Sequence, residues 1–87
     1  MSGGAPMDFP SDFPIKVMGR CDSDLRAVTT AIVERHMGTL DETRIRTRTS
    51  SDGNFVAVTF VVHAESRAQL DALYRELSAC KSVLMAL

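Results

Sequence analysis

The chain has few of the residues that mark specialised protein classes. Its 87 residues include no tryptophan, one tyrosine and only two cysteines. Two cysteines are too few for a disulfide scaffold and are typical of a reducing compartment. The longest strongly apolar run, residues 55–62, is less than half a membrane span, and the N-terminus lacks the basic start and apolar stretch of a signal peptide. We therefore expect a soluble, cytoplasmic protein with no membrane contact.

The chain also lacks an excess of either charge. Ten basic and eleven acidic side chains nearly balance, so there is no overall field to attract nucleic acid or an anionic membrane. Any binding of that kind must be local.

The length allows a single domain. Residues 1–12 contain glycine and proline and too few periodic apolar residues to join a core. We predict a flexible N-terminal tail over residues 1–12 and one folded domain over residues 13–87.

The folded part is predicted to contain six elements in the order strand, helix, strand, strand, helix, strand. Alternating apolar and polar residues predict strands over 15–20, 42–49 and 55–64, and a final strand over 82–87. Helical spacing predicts a first helix from Leu25 to Gly38 and a second after Ser66, which forms a capping box with Gln69.

Each predicted helix has one apolar face. In the first helix that face is predicted to comprise Leu25, Val28, Ile32 and Val33. The second helix has Leu70, Leu73, Tyr74 and Leu77 on its apolar side. Asp71 and Arg75 are predicted to form an ion pair on its exposed side.

This order of elements predicts an α+β, ferredoxin-like sandwich. Four antiparallel strands in the order 4-1-3-2 would carry both helices on one face. Val17, Val58, Phe60 and Val62 would contact the helices, which leaves the second sheet face open. The residues expected on that open face are Lys16, Met18, Arg20, Phe55, Ala57, Thr59, Val61 and His63.

Four stretches of the sequence together resemble one known family. They are residues 9–19 (FPSDFPIKVMG), 53–55 (GNF), 73–77 (LYREL) and 85–87 (MAL). Over nearly its whole length the chain resembles the YbeD-like family of small uncharacterised bacterial proteins. The resemblance implies a ferredoxin-like fold similar to the ACT regulatory domains of amino-acid metabolism, with no established activity and no catalytic residues.

ACT-like modules generally bind small effectors near the loop after strand one and often pair with a second copy. The resemblance therefore implies a ligand site at Gly19, Arg20, Asp22 and Ser23. This loop has no glycine beside the helix start, and its aspartates would repel a carboxylate ligand. The alternative role of Asp22, Ser23 and Asp24 is to cap the helix.

The open sheet face offers a different site. Met18, Phe55, Ala57 and Val61 make it partly apolar, and an antiparallel sheet with two partly apolar faces rarely stays fully solvated. These four residues, to which Leu84 of the final strand could add, predict an interface with a second copy of the chain or with a protein partner.

Strand two supplies the alternative function. Arg44, Arg46 and Arg48 are predicted on one side of it and could hold RNA or another anionic ligand by charge and stacking. Long basic side chains also protect edge strands against aggregation, and the usual pair of exposed aromatic residues is missing. Nucleic acid is therefore the less favoured partner.

The sequence offers no convincing catalytic or metal site. Cys21 and Cys80 flank neighbouring antiparallel strands, so they would lie at one end of the domain, as a redox pair or as inert thiols. His36 and His63 would lie at the opposite end, which excludes a shared zinc site. No nucleophile is predicted beside a base. We expect a non-catalytic binding or regulatory module without cofactor or metal.

Overall fold

The computed structural model describes residues 9–22 and 24–87. Most of the predicted tail and Ser23 of the predicted ligand site lie outside them. The elements in chain order are β1 (Ser11–Arg20), α1 (Leu25–Met37), a 3-10 turn (Glu42–Arg44), β2 (Ile45–Thr49), β3 (Phe55–Ala64), α2 (Arg67–Ala79) and β4 (Met85–Ala86). None of the helices in the described ranges is both long and apolar enough to cross a bilayer.

The sheet has the predicted topology. Its strands run in the order β2-β3-β1-β4, which is the predicted order read from the other edge, and every neighbouring pair is antiparallel. The ferredoxin-like fold is therefore confirmed. β1 begins at Ser11, two residues inside the segment predicted to be a tail, because residues 11 and 12 continue the pairing with β3.

The core lies between one face of the sheet and the two helices. Val17 pairs with Val58 and Ile15 pairs with Phe60, and all four side chains are fully buried. The helices close this core with residues that are also buried, namely Leu25, Ile32 and Val33 from α1 and Leu70, Leu73 and Leu77 from α2. Burying such a layer is the main source of stability in a domain of this size.

One core position of α1 differs from the prediction. Val28 is 36% exposed, whereas Thr29 is 0% exposed. Spacings of three and four residues both return to one helix face, and the fold selects the residue four positions after Leu25. The Thr29 hydroxyl donates a 2.6 Å hydrogen bond to the Leu25 carbonyl, so its burial leaves no unpaired polar group.

The two helices begin differently. In α2 half of the predicted capping box forms. Ser66 Oγ accepts from the Gln69 amide at 3.2 Å, but Gln69 Oε1 accepts from the amide of Glu65 at 2.7 Å rather than from that of Ser66. In α1 the N-cap residue is Asp24, whose side chain accepts no capping hydrogen bond within the described part of the chain. Asp24 therefore stands at the predicted cap position, but its side chain makes no capping hydrogen bond with the described residues.

The exposed ion pair on α2 uses a different partner from the one predicted. Asp71 lies 3.9 Å from Arg67, one turn earlier, and the expected pairing with Arg75 is replaced by this contact. Both spacings are four residues, so the sequence alone cannot choose between them.

Strands β2 and β4 are shorter than predicted. Residues 42–44 form a 3-10 turn, so β2 starts at Ile45. β4 covers two residues, but the Leu87 amide donates to the Lys16 carbonyl at 2.7 Å and the Lys16 amide donates back at 3.0 Å, which extends the pairing to the last residue.

Candidate functional site

The sheet face opposite the helices carries most of the residues predicted to be functional, and the strand register arranges them in rows. One row crosses the sheet from Arg48 through Ala57 and Met18 to Met85. We call Ala57, Met18 and Met85 the apolar row. The next row contains Arg46, Thr59 and Lys16, and we call it the basic row.

The apolar row is only partly covered. Met85 is 50% exposed, and Met18 and Ala57 are half-buried. Phe55, opposite Arg20 in the register, is 36% exposed. The four predicted interface residues thus lie on one face. From the final strand the sequence offered Leu84 for this face, whereas the register of β4 against β1 pairs Met85 with Met18. Sequence reasoning missed Met85 because that register is needed to place it.

Arg44 does not belong to the stripe of arginines predicted along strand two. It lies in the 3-10 turn, where Nη1 donates to the Val61 carbonyl at 3.4 Å and lies 3.5 Å from Asp12 Oδ2. Only Arg46 and Arg48 lie on β2, and both are exposed.

Asp12 joins Arg44 to His63 at one end of the open face. His63 Nδ1 lies 2.9 Å from Asp12 Oδ1, and His63 Nε2 lies 3.6 Å from Glu65. The hydrogen bond from His63 is the largest cause and lowers the pKa of the Asp12 carboxyl below its usual value. Burial opposes this shift, and the nearby charge of Arg44 adds to the lowering. Asp12 therefore neutralises the charge of Arg44.

Five of the eight arginines have an acidic partner among the described residues. The pairs are Arg20 with Asp22, Arg26 with Glu42, Arg35 with Glu76, Arg44 with Asp12 and Arg67 with Asp71. By contrast, Lys16, Arg46 and Arg48 have no acidic partner within residues 9–22 and 24–87. They line a single depression of about 310 Å³, whose other walls are Thr47, Ala57 and Thr59.

A second depression adjoins the first and shares Arg48 and Ala57 with it. Its volume is about 410 Å³, and its apolar lining residues are Met18, Phe55, Val56 and Ala57. The open face thus combines unpaired positive charge with exposed apolar side chains over neighbouring positions. Such a surface can hold a ligand that has both an anionic group and an apolar part.

The loop after β1, the ligand site implied by the resemblance, is built differently. A Cβ atom on Gly19 would lie 2.4 Å from the Ser82 carbonyl oxygen and 3.0 Å from a Leu25 methyl group. The close approach that this glycine permits is therefore made by the chain's own backbone. Arg20 Nε lies 3.7 Å from Asp22 Oδ1, and both side chains are exposed.

Neither cysteine forms a disulfide, and both histidines contact carboxylates. Both thiols are free; Cys21 is exposed and Cys80 is half-buried. His36 Nε2 lies 2.7 Å from Glu76, and His63 lies beside Asp12. In the part of the chain that the structure describes, no cluster of three His, Cys, Asp or Glu side chains is suited to a metal ion.

The fold and this face define a small ferredoxin-like α+β domain with one uncovered, basic sheet face. A family model described as "Protein of unknown function (DUF493)" matches residues 5–87. The chain belongs to this family, and the YbeD-like resemblance is thereby confirmed.

Curated relatives and solved structures agree with that assignment. The chain is 44% identical to the UPF0250 protein RSc0326 of Ralstonia nicotianae, over 84% of this chain and 75% of the relative. It is 35% identical to UPF0250 protein NE1487 of Nitrosomonas europaea, over 93% of both chains. The solution structure of protein HP0495 from H. pylori aligns with a TM-score of 0.70 at 12% identity, over 100% of this chain and 94% of the other.

A second solved structure has the same general fold. It is the solution structure of the C-terminal domain of the MgtC protein from Mycobacterium tuberculosis, with a TM-score of 0.63 at 18% identity, covering 93% of this chain and 88% of that one. At identities of 12% and 18%, these two structures establish the fold of this chain and nothing about its activity.

Proposed function

We propose that this chain is a non-catalytic, regulatory binding module of ACT-like type, whose open sheet face docks an acidic segment of a partner protein. The observation that carries the proposal is the apolar row bordered by three unpaired cations. Lys16, Arg46 and Arg48 lack acidic partners within the described residues, and Met85 and Phe55 are 50% and 36% exposed.

Exposed apolar side chains provide the affinity. Full burial of a methionine or phenylalanine side chain contributes roughly 1.5–3 kcal/mol. Covering the uncovered parts of Met85 and Phe55 would therefore contribute about 1 kcal/mol each. Met85 lies on β4, directly opposite Met18, and Phe55 lies on β3, two residues before the other neighbour of Met18, Ala57. One partner segment that crosses Met18 can therefore contact both side chains.

The charge of the face favours an acidic partner over a second copy. A two-fold symmetric dimer through this face would bring the same three cations of both copies together. Like charges placed across an interface oppose association, and complementary charges accelerate it and fix its register. An acidic segment would neutralise Arg46, Arg48 and Lys16 instead.

Single-stranded RNA is the second candidate, since it also offers negative charge. Sheets that read RNA usually stack two or three bases on aromatic side chains. Among the described residues of the open face, Phe55 is the single Phe, Tyr or Trp, and the ring of His63 is held by Asp12. This shortage favours protein over RNA.

A small effector at the β1–α1 loop is supported less well. The space beside Gly19 is filled by the Ser82 carbonyl, and the remaining depression, lined by Arg20, Asp22, Lys81, Ser82 and Leu84, measures only about 180 Å³. Such a volume lies below the range of typical small-molecule sites.

The non-catalytic part of the proposal is supported by the hydrogen-bond partners of the two histidines. His36 and His63 each contact carboxylates, Glu76 and Asp12, rather than a thiol or hydroxyl nucleophile. A histidine needs a nucleophile within hydrogen-bond reach to act as its base.

Site-specific photo-crosslinking in living cells tests the proposal. A photoreactive phenylalanine analogue replaces Phe55 on the open face, or Val28 on α1 as the control. The two positions are matched, because both side chains are 36% exposed. We expect an adduct to another protein from position 55, within an acidic peptide of that protein, and none from position 28.

Charge reversal identifies the basis of the contact. Adding Arg48→Glu to the position-55 variant should remove the adduct, because the cation would be replaced by a like charge facing the acidic peptide. An adduct to a second copy of the chain, an adduct lost on ribonuclease treatment, or equal adducts from positions 55 and 28 would each contradict the acidic-protein partner.

A further inference from the structure

We infer that the basic row is a binding site for one phosphate group, held above Thr59 between the side chains of Arg46 and Lys16. Arg48, one row away, supplies a third positive charge. This inference rests on the proposed function, because it names a chemical group that the same face recognises.

The strand register places the three residues of the row side by side. Thr59 of β3 is directly opposite Lys16 on one neighbour and directly opposite Arg46 on the other. Adjacent strands lie about 4.8 Å apart, so the backbones carrying the two cations are roughly 10 Å apart on either side of the threonine. A phosphate group fits between them, with the Thr59 hydroxyl below it as a donor.

Protection of a sheet edge does not account for the whole cluster. Basic residues on an edge strand discourage aggregation, which suits Arg46 and Arg48 on β2. Lys16, however, is on β1, which lies between β3 and β4 in the interior of the sheet. Lys16 also has no acidic partner in the described ranges. Its place beside Thr59 is explained by an anion shared with Arg46.

The number and type of cations favour phosphate over carboxylate. A carboxylate has one negative charge and would leave two of the three cations uncompensated, whereas a phosphate monoester has close to two negative charges and three acceptor oxygens. Arginine also binds phosphate oxygens with paired, planar N–H groups. The depression of about 310 Å³ lies at the lower end of ligand-site volumes, which suits a single group rather than a large ligand.

Titration of the full chain with inorganic phosphate tests this site. The readout is the change in amide NMR chemical shifts at about pH 8, where the phosphate dianion dominates. Ionic strength is held constant with chloride, and acetate serves as the carboxylate control. We expect saturable shifts centred on Thr59, Lys16 and Arg46, and weaker, non-saturating shifts with acetate. Equal behaviour of phosphate and acetate, or shifts spread over the helices, would overturn the site.

Matched variants separate this site from general positive charge. Lys16→Gln and Arg46→Gln should each weaken phosphate binding about tenfold, as expected for loss of one charge-assisted hydrogen bond. Arg75→Gln and Lys81→Gln remove cations that also lack acidic partners in the described ranges but lie outside the depression, and should leave binding unchanged. Equal weakening by all four variants would overturn the site. Thr59→Val, which keeps the side-chain shape, should weaken binding without loss of folding.

The phosphate can come from a free phosphate ester or from a phosphorylated side chain of the partner. An acidic peptide with one phosphoserine, compared with its unphosphorylated form and with inorganic phosphate, distinguishes the two. Binding of the phosphopeptide more than tenfold tighter than either comparison assigns the site to a phosphorylated partner. Equal binding of phosphopeptide and inorganic phosphate assigns it to a free ester.

Failure of this inference is distinguishable from failure of the proposed function. If inorganic phosphate does not bind but position 55 still crosslinks to an acidic peptide, the phosphate site is wrong and the docking face stands. If phosphate binds saturably but position 55 gives no adduct, the docking proposal is wrong and the phosphate site stands.

Discussion

Replacing Gly19 by alanine should destabilise the domain strongly, although glycine is usually replaceable in a strand. The added Cβ atom would lie 2.4 Å from the Ser82 carbonyl oxygen and 3.0 Å from Leu25 Cδ1. The first neighbour is backbone and cannot rotate away, so the segment leading into β4 or the end of β1 must shift. Forcing an extra carbon into a packed region costs typically 1–3 kcal/mol, and we expect the upper half of that range, about 2–3 kcal/mol.

The assay is urea unfolding followed by circular dichroism, with thermal melting as a second readout. For a domain of this size, 1 kcal/mol corresponds to a shift of roughly 4–8 °C in Tm, so Gly19→Ala should lower Tm by about 10–20 °C. Gly53→Ala is the control. Gly53 has a φ of 77° and nothing within 4 Å of its added Cβ, so only backbone strain of about 1–2 kcal/mol applies.

The result also distinguishes two roles for Gly19. If this glycine serves close packing against Ser82, Gly19→Ala loses stability in the absence of any ligand. A Gly19→Ala variant as stable as the wild type, within about 0.5 kcal/mol, would refute the packing argument. It would then favour the role implied by ACT-like modules, in which the glycine admits a ligand.

Two further predictions concern helix capping and pH. Ser66→Ala should lower the free energy of unfolding by about 1 kcal/mol because it removes the capping bond to Gln69. Asp24→Ala should change the free energy of unfolding by less than about 0.5 kcal/mol. Urea unfolding compares the two variants, and equal losses of stability would contradict the difference between the two caps. The lowered pKa of Asp12 means that its contribution to stability is present above the ordinary value of 3.8 and is lost as the pH falls through the lower value in the fold. The stability difference between wild type and Asp12→Asn should therefore close in acid, and a difference that grows on acidification would contradict the assigned contacts with His63 and Arg44.

The fold could be predicted from the sequence because its signals are local. Alternation in β3 and helical spacing in α2 each fix one element, and the preference for right-handed crossovers leaves few ways to join them. Two of the positions that sequence reasoning placed wrongly, Val28 and Arg44, depend on how distant parts of the chain pack together. Arg44 leaves the strand to reach Asp12 and Val61, and no local pattern encodes that choice.

The candidate site was only partly predictable for the same reason. Sequence alternation places Lys16 and Thr59 on the open face, but their row with Arg46 requires the register of both neighbouring strands. Whether a cation is paired depends on which acid the fold brings near it. Of the three arginines in that stripe, Arg44 has an acidic partner because the 3-10 turn brings it to Asp12, and the sequence does not show where Asp12 lies.

The central claim is that the uncovered sheet face is the surface through which this protein acts. Photo-crosslinking in living cells from position 55, beside the same experiment from position 28, tests it most directly. The account predicts an adduct from position 55 alone, mapped to an acidic peptide of another protein and lost with Arg48→Glu. An adduct from position 28 with none from position 55 would place the working surface on the helices and contradict the account.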